Sequence, residues 1–99
     1  MKLEDAARRL GELGNLTRLS IFRYLVKVGP DGVPVGQIQK ALSIPGSTLS
    51  HHISRMIAVG LIKQDRESRT LYCTAQYNAL QELIDFLKSE CCVGVDSCG

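Results

Sequence analysis

The stretch Ser43-Ile44-Pro45-Gly46-Ser47-Thr48-Leu49-Ser50-His51-His52-Ile53-Ser54-Arg55-Met56-Ile57-Ala58-Val59-Gly60-Leu61-Ile62 decides the fold of this chain. Its first four residues form a short break. Leu49, Ile53 and Ile57 then recur at helical spacing, which predicts a helix over residues 46–59 with those three side chains inward. Gly60 is placed to close that helix as a left-handed cap. Beyond it, period two replaces period 3.6. Residues 61–66 and 69–74 read as two strands around a polar tip at Glu67 and Ser68.

Working outward, Val35, Ile38 and Leu42 predict a helix over residues 35–42 just before the break. Gly29-Pro30-Asp31-Gly32 is strong turn chemistry and stops an earlier helix marked by Leu16, Leu19, Phe22, Leu25 and Val26. Leu3, Ala6, Ala7, Leu10 and Leu13 predict a first helix over residues 3–13, with Arg8, Arg9 and Glu12 on its other face. After the hairpin, Leu80, Leu83, Ile84 and Leu87 mark a last helix over residues 75–90. Two helices about a short turn, followed directly by a hairpin, are the plan of a winged helix-turn-helix. The expected fold is therefore mainly α with a β-hairpin wing (α+β), in the order α-α-α-α-β-β-α. Residues 1–90 form the domain, and residues 91–99 are expected to be a mobile cysteine-bearing tail.

Reading a DNA major groove needs an exposed helix face with short hydrogen-bonding side chains near its N-terminus. The helix over 46–59 offers Ser47, Thr48, Ser50, His51 and Arg55 away from its apolar face, and free amides at its start. Taken alone, this is also the pattern of an ordinary amphipathic helix with a solvated face. Arg66 and Arg69 flank the hairpin tip, where a wing meets phosphates or a minor groove. The two together point to double-stranded DNA as partner. His51 and His52 are neighbours and diverge by about 100° on a helix, so His51 is assigned to the DNA face and His52 to packing.

Charge agrees in its distribution more than in its total of +2. Residues 15–74 carry eight basic and three acidic side chains, whereas residues 75–99 carry one basic and four acidic. A positive middle suits phosphate contact. No apolar run approaches the roughly 20 residues of a membrane span, and the first residues lack the apolar core of a signal peptide. The expected address is cytoplasmic, without a membrane partner. Ninety-nine residues give a thin core, which a second copy of the chain often extends. No nucleotide loop or catalytic dyad appears, so an enzyme is not expected.

The segment Ser47-Thr48-Leu49-Ser50-His51-His52, with Ala58-Val59-Gly60-Leu61-Ile62 after it, resembles the ArsR/SmtB family of metal-responsive repressors. Asn15-Leu16-Thr17-Arg18-Leu19-Ser20-Ile21-Phe22 and the wing segment Arg69-Thr70-Leu71-Tyr72 are similar to the same family. The resemblance implies a winged-helix homodimer, paired through the first and last helices, that leaves its operator when an inducer binds. The family's arsenite site at the start of the third helix falls here on Val33-Pro34-Val35-Gly36, which has no thiol. Its zinc site on the last helix uses His and acids; here Glu82, Asp85 and Glu90 are present and His is absent. The run Cys91-Cys92-Val93-Gly94-Val95-Asp96-Ser97-Cys98 resembles a separate arsenite-sensing branch.

Soft thiolates select soft acceptors. Trivalent arsenic and antimony take three sulfurs, while zinc takes four ligands. Cys91, Cys92 and Cys98 make three, and the short loop between the last two closes at little entropic cost. The expected inducer is As(III), with Sb(III) or a methylated As(III) in the same class; no cofactor is expected. A redox pair, another soft metal and thiols without a sensory role remain open. Cys73, on the second strand, reads as a small core residue. A nucleophilic cysteine would need an electropositive setting, and Glu90 and Asp96 supply the opposite.

Overall fold

A computed structural model describes residues 1–94; Cys98 and the other residues of 95–99 lie outside it. Among the described residues there are five helices and three strands. They run α1 (Leu3–Leu13), α2 (Leu16–Val28), β1 (Val33–Pro34), α3 (Val35–Leu42), α4 (Gly46–Ala58), β2 (Ile62–Glu67), β3 (Thr70–Ala75) and α5 (Tyr77–Lys88). The sheet is antiparallel in the order β1-β3-β2. Helices α3 and α4 enclose the short break, and β2 and β3 form the wing. The fold is the expected winged helix-turn-helix.

Local chemistry accounts for the joints. The Asn15 side chain caps α2 by accepting from the Arg18 amide at 3.0 Å. Gly60 (φ 80°) closes α4 as expected. Its amide donates to the Ile57 carbonyl at 3.0 Å, and the Leu61 amide donates to Met56 at 2.9 Å. This pair of bonds is a Schellman motif. It turns the chain directly into β2, so the wing's origin is tied to the end of α4.

The core gathers Ile21, Phe22 and Leu25 from α2, Ile38 from α3, and Leu49, Ile53 and Met56 from α4. Leu61, Ile62, Cys73 and Ala75 close it from the wing side. Cys73 is fully buried and accepts from Gln64 Nε2 at 3.5 Å, as expected of a small core residue. The inward face of α4 differs from expectation: Met56 is buried and Ile57 is exposed. Both positions suit a helical stripe, and packing takes the flexible Met side chain. Leu16, Leu19 and Val26 of α2 are exposed, as are Leu3 and Leu10 of α1 and Ile84 and Leu87 of α5. Those stripes are too wide for one small core, and their outer halves are left uncovered in the single chain.

Three boundaries also differ. Strand β1 was not expected; Val33 pairs with Cys73 and Pro34 with Tyr72. Two residues are too few to show period two, and Pro34 is tolerated because β1 is an edge strand. The hairpin turn is Ser68-Arg69, one residue later than expected, with Glu67 opposite Thr70. Helix α5 begins at Tyr77 and ends at Lys88, shorter at both ends than residues 75–90. Ser89 is extended and its hydroxyl donates to the Phe86 carbonyl at 2.6 Å.

Gly32 sits at φ 76°, and a Cβ there would lie 2.9 Å from the Cys73 carbonyl oxygen and 2.7 Å from Thr74 Oγ1. Gly36, in α3, has open space around it. Gly32→Ala should therefore cost roughly 2 kcal/mol or more, through left-handed strain and the β3 backbone. Gly36→Ala should stabilise by up to about 1 kcal/mol. Urea denaturation of both variants checks the opposite signs.

Candidate nucleic-acid interface

The burial of Leu49, Ile53 and Met56 fixes the rotation of α4. Ser47, Thr48, Ser50, His51 and Ser54 are consequently exposed. Small hydroxyls near the start of α4 leave room for a groove edge to approach. Pro45 precedes the helix and supplies no side-chain cap, so the first amides of α4 keep their hydrogen-bonding capacity. Arg66 and Arg69 are both exposed at the wing, with Arg69 in the turn itself. Helix start and wing tip thus present hydroxyls, an imidazole and two guanidinium groups to solvent, in a form suited to phosphate and base edges.

Arg55 is placed differently from its neighbours. It turns toward α1, where its Nε donates to Glu12 Oε1 at 2.7 Å and its Nη2 to Oε2 at 3.2 Å. Arg18 of α2 backs the same acid: its Nε donates to the Glu12 carbonyl at 2.7 Å and lies 3.3 Å from Oε1. The hydrogen bond from Arg55, followed by the charges of Arg55 and Arg18, outweighs burial and holds the Glu12 carboxyl below its ordinary pKa. Arg18 Nη1 is also 3.3 Å from His52 Nδ1. A guanidinium has only donors, so neutral His52 accepts at Nδ1 and carries its proton on Nε2. Burial, then Arg18, His51 and Arg55, push the His52 pKa down. His52 therefore packs, as expected, and does so as a neutral acceptor.

Neither Glu12, Arg18 nor Arg9 stood out as functional in the sequence. Arg9 Nε donates to the Val59 carbonyl at the end of α4, and its Nη1 to the Ala79 carbonyl and the Glu82 carboxylate of α5, each at 3.1 Å. These partners lie 50 to 73 residues away along the chain. Helical periodicity carries no signal for such pairs.

Past α5, Cys91 and Cys92 are exposed, with their sulfurs 3.1 Å apart in a hydrogen bond and no disulfide between them. The hydrogen bond between the thiols raises the Cys91 pKa. Cys98 lies outside the described residues. Among those residues no group of three His, Cys, Asp or Glu side chains is gathered as a metal site. Glu82 is taken by Arg9, and Asp85 accepts from Gln81 at 2.9 Å.

The helix-turn-helix domain family matches residues 13–65, which run from the end of α1 through α4 into the wing. The chain belongs to that family. The uncharacterised HTH-type transcriptional regulator YbzH of Bacillus subtilis (strain 168) is 31% identical, over 79% of this chain and 90% of YbzH. The crystal structure of the transcriptional repressor PagR of Bacillus anthracis superposes with a TM-score of 0.71 at 29% identity, covering 86% of this chain and 94% of PagR. The solution structure of the homodimeric winged helix-turn-helix DNA-binding domain of Mb0332 from Mycobacterium bovis, a possible ArsR-family regulator, gives 0.72 at 23% identity. That likeness covers 86% of this chain and 77% of the Mb0332 fragment.

The lowered His52 pKa makes stability depend on pH. Unfolded His52 takes a proton as pH falls below its ordinary 6.5, while folded His52 resists it beside Arg18. The unfolded state then binds more protons, so stability present above pH 6.5 is lost as pH falls through the lowered folded value. Glu12 contributes a second loss, below its ordinary 4.5. Thermal melts across this range should show the first loss in the parent and not in His52→Gln, with the more acidic loss kept in both.

Proposed function

We propose that this protein is a homodimeric ArsR-type transcriptional repressor. It binds double-stranded operator DNA through α4 and the wing, and trivalent arsenic or antimony bound at Cys91, Cys92 and Cys98 releases it. The observation carrying the DNA reading is the exposed polar start of α4 beside Arg66 and Arg69, on a fold shared with DNA-binding regulators. Ser47, Thr48, Ser50 and His51 are assigned to the groove, and Arg66 and Arg69 to phosphates. Arg55 joins them to the extent that DNA draws it from Glu12.

The dimer reading rests on uncovered apolar side chains. Leu3 and Leu10 of α1 and Ile84 and Leu87 of α5 are each at least 40% exposed. Pairing through these two helices would bury them. It would also set two copies of α4 at the spacing of successive major grooves, about 34–36 Å.

Support for the trigger is the pair of exposed thiols at 3.1 Å, close enough for one soft atom to bond both. Arsenous acid reacts with thiols by condensation. Each S–H proton leaves with one arsenic hydroxide as water while an As–S bond forms, and no electron moves. The redox reading uses the same thiols, with a peroxide oxidant removing two electrons and two protons. A disulfide between the neighbours Cys91 and Cys92 is strained, so the redox reading pairs Cys92 with Cys98.

Two measurements test this. Arg66→Ala and Arg69→Ala should each weaken binding to any duplex and lower the slope of log K against log salt by about one; unchanged slopes would remove the wing from the interface. In gel shifts with excess reductant, arsenite should dissolve the complex of the parent and not of Cys91→Ser or Cys92→Ser. An operator complex that survives arsenite and yields only to peroxide would favour the redox reading.

A further inference from the structure

Arg55 lies at the edge of the exposed face of α4, yet its fork is already engaged. Nε and Nη2 grip the two oxygens of Glu12 side-on, the geometry in which a guanidinium also grips a phosphate. The two partners differ in freedom. Glu12 is 16% exposed and pinned from behind by Arg18, itself 12% exposed. Arg55 is 48% exposed and carried on a flexible stem. Glu12 cannot follow Arg55 outward, so a phosphate brought against α4 must take Arg55 away from Glu12 or do without its side-on fork. Arg18 is held by the same carboxylate, leaving the three groups with a single net positive charge instead of two.

We infer that Glu12 is an affinity-determining residue of the DNA face: it competes in cis with backbone phosphate for Arg55 and subtracts about one phosphate contact from the complex. The inference rests on the DNA-binding reading above and not on the identity of the inducer. It assigns α1 a part in DNA binding without placing it on DNA. A phosphate contact is blind to sequence, so the subtraction applies to operator and non-operator duplexes alike.

The test is a double-mutant cycle on the full chain, read by fluorescence anisotropy over a salt series. Its probes are a duplex selected from a random pool by the parent protein and a scrambled duplex of the same composition. Glu12→Gln should bind both duplexes about 3- to 10-fold more tightly at low salt, with a salt slope steeper by about one. Arg55→Gln should cost little in the parent and several-fold more in the Glu12→Gln background. Because the cycle compares Arg55→Gln in two backgrounds, a change in helix packing common to both cancels. Equal cost in the two backgrounds, or weaker binding by Glu12→Gln, would overturn the inference. A parent that binds neither duplex would overturn the DNA reading and this inference together.

Discussion

The packing of one helix face sets the rest. Leu49, Ile53 and Met56 are 0–2% exposed on the inward side of α4. Each such side chain contributes about 1.5–3 kcal/mol on burial. Surface ion pairs contribute about 0–1 kcal/mol, so no polar preference on the outer face can rotate the helix against that line. The rotation then dictates everything outside it. Ser47, Ser50 and His51 face solvent, and His52 and Arg55 face sideways toward α2 and α1. The same face reaches the wing, because Met56 also accepts the Leu61 amide in the closing turn. The exposed polar residues of α4 and the wing arginines thus share one anchor.

Helix α1 is attached by different means. Only Ala6 of α1 is buried. Its link to the rest of the chain includes the Arg9 bonds to α4 and α5 and the Glu12 bonds to α4. Such hydrogen bonds are directional, and where solvent reaches them they orient more than they stabilise. Such bonds fix a pose while consuming little apolar surface. That leaves Leu3 and Leu10 uncovered, which a small domain retains at a cost in solubility unless another surface meets them.

The sequence displayed whatever repeats along one element. The five helices, the break at residues 43–45 and the two wing strands follow from period and turn chemistry. The polar start of α4 was legible for the same reason. What failed lies where two positions satisfy one period or where the element is too short to have one. Met56 and Ile57 both suit the stripe begun at Leu49, and only packing chooses between them. Strand β1 has two residues and gains its strand character from β3. Period alone puts Arg55 with the DNA-facing side chains, and its tie to Glu12 leaves no signal there because Glu12 is 43 residues away. Adjacent Cys91 and Cys92 were visible as a pair, but neither their 3.1 Å sulfur separation nor the left-handed backbone at Glu90 and Cys92 carries a sequence signal.

The contacts of α1 also bear on how an event at the end of α5 could reach α4. A ligand shifts an equilibrium only by its differential affinity for two arrangements. A route between sites needs an element that has two arrangements. Arg9 bridges the two helices: one guanidinium serves the Val59 carbonyl just past α4 and the Ala79 carbonyl on α5. Its N–H groups are fixed in one plane, so a shift of α5 against α4 cannot keep both bonds. Both bonds are made in this structure, with α4 seated on its core and Arg55 held by Glu12. A displacement of α5 would therefore be felt at the C-terminal end of α4, the end that also fixes the wing.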